Sequence, residues 1–260
     1  MIYFRLHSFI LMFMASVLTL AMCLGCSSKK TRYNLPPDKL LAKGKEFAKS
    51  NLSIKARDAF QQLLEEYPNS KERISALMRL GDVHYNDEEF EEAKFQYVRF
   101  AQQHPAHKHT DRAYFYAAMC DFRQMDIASR DQSHTQKSIR GFKLLIDTYP
   151  DSKYVEKSKI NLEKSKQVLA ANMFEIGKFY FRTQSYQASI KRLENVIKTY
   201  PDQKFSDEAY FLLGESYLKE QNFEAANKTF EHLIKNYPRS KFKKQARSQI
   251  QKNIRKNIMK

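Results

Sequence analysis

The chain has 260 residues, of which only 6 are Gly and 7 are Pro; tight hairpins and Gly-rich phosphate-cradling loops are largely excluded, and the class expected is all-α. A hydrophobic content of 42%, with 19 Phe and 15 Tyr, argues against disorder. The formal net charge is +16, but nine Lys/Arg and no Asp or Glu fall in residues 239–260, so the basic excess is a local feature of the tail.

At the N-terminus, Arg5 precedes an uncharged run over residues 10–24 built from Leu, Met, Phe, Ala and Val. A positive segment followed by an apolar run of this length reads as a secretory signal, too short for a comfortable membrane span. The run ends in Cys23-Leu24-Gly25-Cys26, followed by Ser27-Ser28-Lys29-Lys30. A small residue directly before a Cys at this point resembles a bacterial lipobox, in which Cys26 becomes the lipidated first residue of the mature chain. Leu20-Ala21-Met22-Cys23 is the rival, which moves acylation to Cys23. Residues 1–25 are then a lipoprotein signal peptide and residues 26–37, which hold Pro36-Pro37, a lipidated tether. Ser27 after the Cys resembles an outer-membrane address. The remaining cysteine, Cys120, sits in the apolar stretch 114–122 and reads as a buried structural thiol, so no disulfide framework is expected.

The body repeats itself. Tyr67-Pro68-Asn69-Ser70-Lys71 recurs as Tyr149-Pro150-Asp151-Ser152-Lys153, Tyr200-Pro201-Asp202-Gln203-Lys204 and Tyr237-Pro238-Arg239-Ser240-Lys241, with a weaker copy at His104-Pro105. Upstream of Pro238 stand Tyr210, Leu213, Gly214, Tyr217, Ala226 and Phe230, the tetratricopeptide pattern of two antiparallel helices. Gly and Ala let the helices approach, the aromatics fill the gap, and Pro ends the second helix. The other copies centre on Gly44, Gly81 and Gly177, while the third has Ala118 in the Gly slot and Phe142 in the large apolar slot. Five copies predict an α-solenoid of five helix pairs plus a C-terminal helix. Residues 38–151 form front repeats one to three, and 152–238 a long connecting helix with rear repeats four and five.

Two irregularities stand out. The third repeat carries a surplus between its helices in the polar stretch 126–136, and residues 154–181 hold no Pro and only Gly177, so one continuous helix is expected there. On the first helix of a repeat, residues seven apart face the concave surface: Leu41 and Ala48, Met78 and Tyr85, Phe174 and Phe181, Phe211 and Leu218. Polar neighbours are Lys45, Asp82, Lys178, Arg182 and Glu215. Such a surface suits a peptide of alternating aromatic and polar side chains, unless linkers or the other half of the solenoid cover it. Ile250, Ile254 and Ile258 recur among Lys and Arg, so residues 239–260 read as a basic amphipathic helix. It caps the last repeat, or docks on an acidic partner surface or an anionic leaflet. Nucleic acid ranks behind both, because export removes the chain from it. His104, His107 and His109 with Asp111 read as a surface cluster rather than a metal site. With no nucleophile elbow, HExxH, CxxC pair or P-loop, neither an enzyme nor a cofactor is expected.

The lipobox, the Pro36-Pro37 linker, five repeats ending in Tyr-Pro, an insertion in repeat three and a long helix before repeat four together resemble the BamD family of outer-membrane assembly lipoproteins, also called YfiO or ComL. The resemblance implies a periplasmic, lipid-anchored scaffold of the β-barrel assembly machinery, without catalysis. It implies front repeats that hold C-terminal segments of unfolded outer-membrane proteins, rear repeats that dock on a BamA-like POTRA-domain barrel protein, and contacts with other Bam lipoproteins. By the same resemblance Arg192 is the candidate partner contact and Tyr67 a candidate near substrate, although the recurrence of Tyr67 at Tyr149, Tyr200 and Tyr237 favours packing. A tetratricopeptide adaptor of Tol-Pal or peptidoglycan machinery is the alternative.

Overall fold

The structure, a computed structural model, describes residues 32–258. The signal segment and Cys26 lie outside the described residues. Among the described residues eleven helices occur in order: α1 (Pro37–Lys49), α2 (Ser53–Glu66), α3 (Glu72–Asn86), α4 (Phe90–Gln103), α5 (Thr110–Arg123), α6 (Ser133–Thr148), α7 (Val155–Arg182), α8 (Tyr186–Thr199), α9 (Ser206–Lys219), α10 (Phe223–Asn236) and α11 (Lys243–Ile258). Each packs on the next, giving five pairs (α1/α2 through α9/α10) with α11 added at the end. Among the described residues, no helix is long and apolar enough to cross a membrane.

The Tyr-Pro motif ends the second helix of each pair by a local steric rule. A residue before proline is pushed out of the helical region. Tyr67, His104, Tyr149, Tyr200 and Tyr237 sit at φ −124, −134, −130, −133 and −120°, each with its N–H still bonded to the carbonyl four residues back. The turn inside each regular pair has its own marker. Asn51, Glu88, Gln184 and Gln221 all adopt left-handed φ, between 55 and 61°, at the same offset from Gly44, Gly81, Gly177 and Gly214.

Close helix contact explains the glycines. A Cβ on Gly44 would lie 2.5 Å from Phe60 Cε1, and one on Gly214 would lie 2.5 Å from Phe230 Cε1. In the third pair the arrangement reverses. Ala118 stands on the first helix, and the gap is supplied by Gly141 on the second, whose Cβ would lie 2.8 Å from that of Ala118.

The core is a chain of neighbouring clusters rather than one centre, as stacked repeats require. One is built on Phe60 and Leu63, the next on Tyr97 and Phe100, then on Phe142 and Leu145, on Leu193 and Val196, and on Phe230 and Leu233. Stacked aromatic rings tie repeats three, four and five each to the start of the next element pair or, for the last, of α11. Phe115 lies on Tyr154 at 4.7 Å, Phe174 on Phe205 at 4.5 Å, and Phe211 on Phe242 at 4.7 Å. These occupy equivalent positions, three residues before the close-contact slot and four after the Pro.

The helix α7 has 28 residues, about 42 Å of continuous helix. Its first half buries Val155 and Leu162 with Phe142 and Leu145 of α6; its second half buries Ala170 and Phe174 with Ile190 and Leu193 of α8. It therefore belongs to both halves of the solenoid. The insertion of repeat three is a loop over residues 124–132, shorter than the polar stretch suggested, because α6 already starts at Ser133. Just before it, Asp131 accepts the Ser133 N–H at 2.9 Å in a local turn. Buried Gln132 donates to the carbonyls of Ile127 and Arg130, and Asn172 of α7 donates to that of Ala128 at 2.7 Å.

The terminal helix corrects one expectation. α11 packs on α10, but Ile250 is only half-buried there and Ile254 is 49% exposed. The buried positions are Ala246 and Asn253, with Phe242, Gln249 and Ile250 half-buried beside them. Asn253 donates to Asn227 at 2.9 Å, and Gln249 to Glu215 at 2.7 Å.

Candidate functional site on the concave surface

The first helices of repeats one, two and three bring Ala48, Arg79, Tyr85, Arg112 and Tyr116 around a cleft of about 330 Å³. Its fixed centre is Asp82. The Asp82 Oδ1 accepts from Tyr97 at 2.8 Å and from Arg112 Nη2 at 2.7 Å, and Arg79 approaches Oδ2 at 3.4 Å. Arg112 also lies 4.7 Å over the Tyr116 ring, which meets Tyr85 edge-on at 5.3 Å and Tyr97 at 5.5 Å. Burial opposes the Arg112 charge, but the Asp82 carboxylate more than offsets it and the guanidinium is held above its ordinary value. Burial first, then Asp82, pushes the Tyr97 phenol far up, so it remains a hydrogen-bond donor. Burial raises Tyr85 as well. An aromatic wall with preorganised guanidinium groups and no activated nucleophile can bind a peptide by stacking and charge-assisted hydrogen bonds.

The predicted groove residues divide into two kinds. Tyr85 lines the cleft and is half-buried, and Leu41 is half-buried against the first core cluster. Met78 and Phe174 are only 6% and 4% exposed. In the rear half, Phe174 and Phe211 have their faces taken by Phe205 and Phe242, and Phe181 packs against Tyr186 at 5.8 Å. These side chains hold repeats together more than they offer a floor. Three of the polar neighbours are likewise engaged: Asp82 as described, Lys178 with Glu208 at 2.7 Å, and Glu215 by accepting from Gln249.

Tyr67 is tied to the chain's own N-terminal segment. Its hydroxyl donates to the Leu35 carbonyl at 2.9 Å, while buried Gln62 clasps Tyr33 through both its N–H and its carbonyl, at 2.9 and 2.8 Å. Tyr67 and Gln62 thus fix the end of the tether on the first repeat. Arg192 and Lys191 are exposed on α8, on the second helix of repeat four. Arg112 and Tyr116 were missed from the sequence; in the divergent third repeat they fall outside the slots that mark the other copies.

Three further groups named for their chemistry are placed as follows. Cys120 is buried and its thiol is pushed up to about 12, first by burial and then by Asp121. Around His104 and His107 the turn is closed by Thr110, whose single hydroxyl proton is shared between their two carbonyls, each 2.7 Å away. Glu91, Asp121 and His134 do converge, but Lys94 already supplies the cation, with Nζ 2.7 Å from Asp121 Oδ1.

The model of the YfiO outer membrane lipoprotein family matches residues 34–229, which takes in all five repeats' first helices and most of the last pair. The chain belongs to that family. Membership makes the protein an outer-membrane lipoprotein. Among relatives, the outer membrane protein assembly factor BamD of Caulobacter vibrioides is 24% identical over 202 residues, which cover 76% of this chain and 66% of the relative. BamD of Rickettsia prowazekii is 28% identical over 189 residues, covering 72% of this chain and 75% of the relative. This chain thus spans about two thirds to three quarters of the length of these relatives. Among solved structures, the TPR2AB-domain:pHSP90-complex of yeast Sti1 is similar at a TM-score of 0.42 and 16% identity, over 78% of each chain.

Proposed function

We propose that the protein is a non-catalytic scaffold that promotes assembly of β-barrel proteins into the outer membrane. The family match over the repeat array carries this reading, supported by relatives named outer membrane protein assembly factors. The front cleft around Tyr85, Arg112 and Tyr116 receives extended segments of unfolded barrel proteins, in particular their C-terminal ends. Its basic and aromatic lining favours chains that pair an aromatic side chain with a carboxylate. The rear repeats dock a barrel protein bearing POTRA domains, with exposed Arg192 at the contact, and other lipoproteins of the same machinery complete the assembly. The long helix α7 transmits the position of one half to the other, because both halves pack on it. Acylation of Cys26 holds the scaffold at the periplasmic face of the outer membrane.

The test is affinity capture from solubilised membranes. Co-purification of a POTRA-bearing barrel protein, weakened by Arg192→Glu, is the expected result. Capture of Tol-Pal or peptidoglycan-binding components without such a barrel protein overturns the reading, and unchanged capture by the variant removes Arg192 from the contact.

A further inference from the structure

The family match ends at residue 229, inside α10, so α11 lies beyond what the family model describes. This helix is firmly placed. Phe242 stacks on Phe211, Ser240 donates to Asp207 at 2.7 Å, and Asn253 and Gln249 bond to α10 and α9. With Ala246 and Asn253 turned inward, Lys244, Arg247 and Lys252 are left exposed. Among the described residues, none of these three joins an ion pair with a carboxylate, whereas Arg57, Lys94, Arg112 and Lys178 of the solenoid each have a carboxylate partner within 4 Å. Residues 239–260 contain no Asp or Glu to repel an anionic surface. Ile254, 49% exposed, adds an apolar side chain beside the cations.

We propose that the outer face of α11 is a docking surface for anionic phospholipid headgroups, which lays the far end of the solenoid against the membrane that also holds its lipid anchor. Charge complementarity selects an anionic partner. The family's place at the outer membrane selects lipid over an acidic protein, because a bilayer is always within reach of an anchored chain. Tethering makes the second contact intramolecular, at an effective concentration on the order of millimolar, so a weak surface is occupied. Each Lys or Arg near an anionic surface strengthens binding about fivefold, and the contribution is screened by salt. Two attachment points, one acyl and one electrostatic, give firmer and better-oriented anchoring than one acyl group. The proposal rests on the outer-membrane location and not on the assembly role.

The test uses the chain from residue 26 onward with Cys26→Ser, so that no acyl group contributes, sedimented with vesicles of phosphatidylcholine alone or mixed with phosphatidylglycerol. The expected result is at least about a tenfold preference for the phosphatidylglycerol vesicles, abolished at high salt. The triple variant Lys244→Glu, Arg247→Glu, Lys252→Glu loses the preference with unchanged helical circular dichroism, and Lys→Gln and Arg→Gln changes at these positions give an intermediate loss. Equal binding to both vesicles, or a preference untouched by the charge reversal, overturns the proposal, as does tail-dependent binding to an acidic envelope protein without any to lipid. Lipid binding by a chain that captures no POTRA-bearing barrel protein leaves this proposal standing while removing the assembly role.

Discussion

The Tyr97 hydroxyl donates to Asp82 Oδ1 at 2.8 Å from a fully buried ring. That oxygen also accepts from Arg112, so one carboxylate joins the first helix of repeat two to its own second helix and to repeat three. Tyr97→Phe keeps the ring that fills the gap over Gly81 and removes one hydrogen bond to a charged group, a loss of about 1.5–2 kcal/mol. Asp82→Ala strands both donors, and its cost should be larger, about 3 kcal/mol. Urea unfolding followed by circular dichroism measures both. Equal losses would deny Asp82 its central position.

The contact of Gly214 with Phe230 sets a second expectation. Alanine is a better helix former than glycine by about 1 kcal/mol. Here a Cβ would meet a ring at 2.5 Å with 0% exposure, and overpacking of this kind costs about 1–3 kcal/mol. Gly214→Ala should therefore lower the thermal midpoint, and adding Phe230→Leu should recover part of the loss. A stabilised Gly214→Ala would show that the helices can move apart freely.

Gln221 points the other way. It holds φ 59° at an exposed turn, where a side chain costs about 1 kcal/mol that glycine does not. After allowing for the greater freedom of an unfolded glycine, Gln221→Gly should stabilise by about 0.5 kcal/mol. Gln184→Gly should behave alike. Loss of stability in both would contradict the left-handed turn.

Glu89 gives a pH dependence with a defined sign. Its carboxylate accepts from Arg57, the larger influence, and from buried His84 at 2.5 Å, and both hold it below the ordinary value of 4.5. A carboxyl depressed in the folded state contributes stability above its unfolded value, and that contribution is lost as the pH falls through the folded one. Because the side chain is 38% exposed, solvent weakens the effect. Stability of the native chain should thus decline below about pH 4.5 more steeply than that of Glu89→Gln. Parallel profiles for the two proteins would contradict the pairing.

The repeats were legible because Tyr-Pro and the close-contact glycines act locally, through one steric rule each. The stacked pairs Phe174–Phe205 and Phe211–Phe242 were not, because an aromatic residue on the first helix looks the same whether it faces a ligand or the next repeat's turn. The left-handed turn was hidden by its occupants, Glu88, Gln184 and Gln221, which carry no signal for positive φ. The role of Gly141 depends on Ala118, a contact between two helices that sequence spacing alone does not reveal. In α11 the regular isoleucines drew attention from Ala246 and Asn253, a small residue and a polar one that make the tighter fit. Arg112 and Tyr116 went unnoticed because the cleft they complete joins three repeats.

Service in outer-membrane β-barrel assembly is open to a direct check. Its most direct measurement is depletion in the native bacterium, with folded porins counted by their heat-modifiable mobility on gels. Folded porins should fall as the protein is lost, before any defect in division. Septal defects with normal levels of folded porin would contradict it.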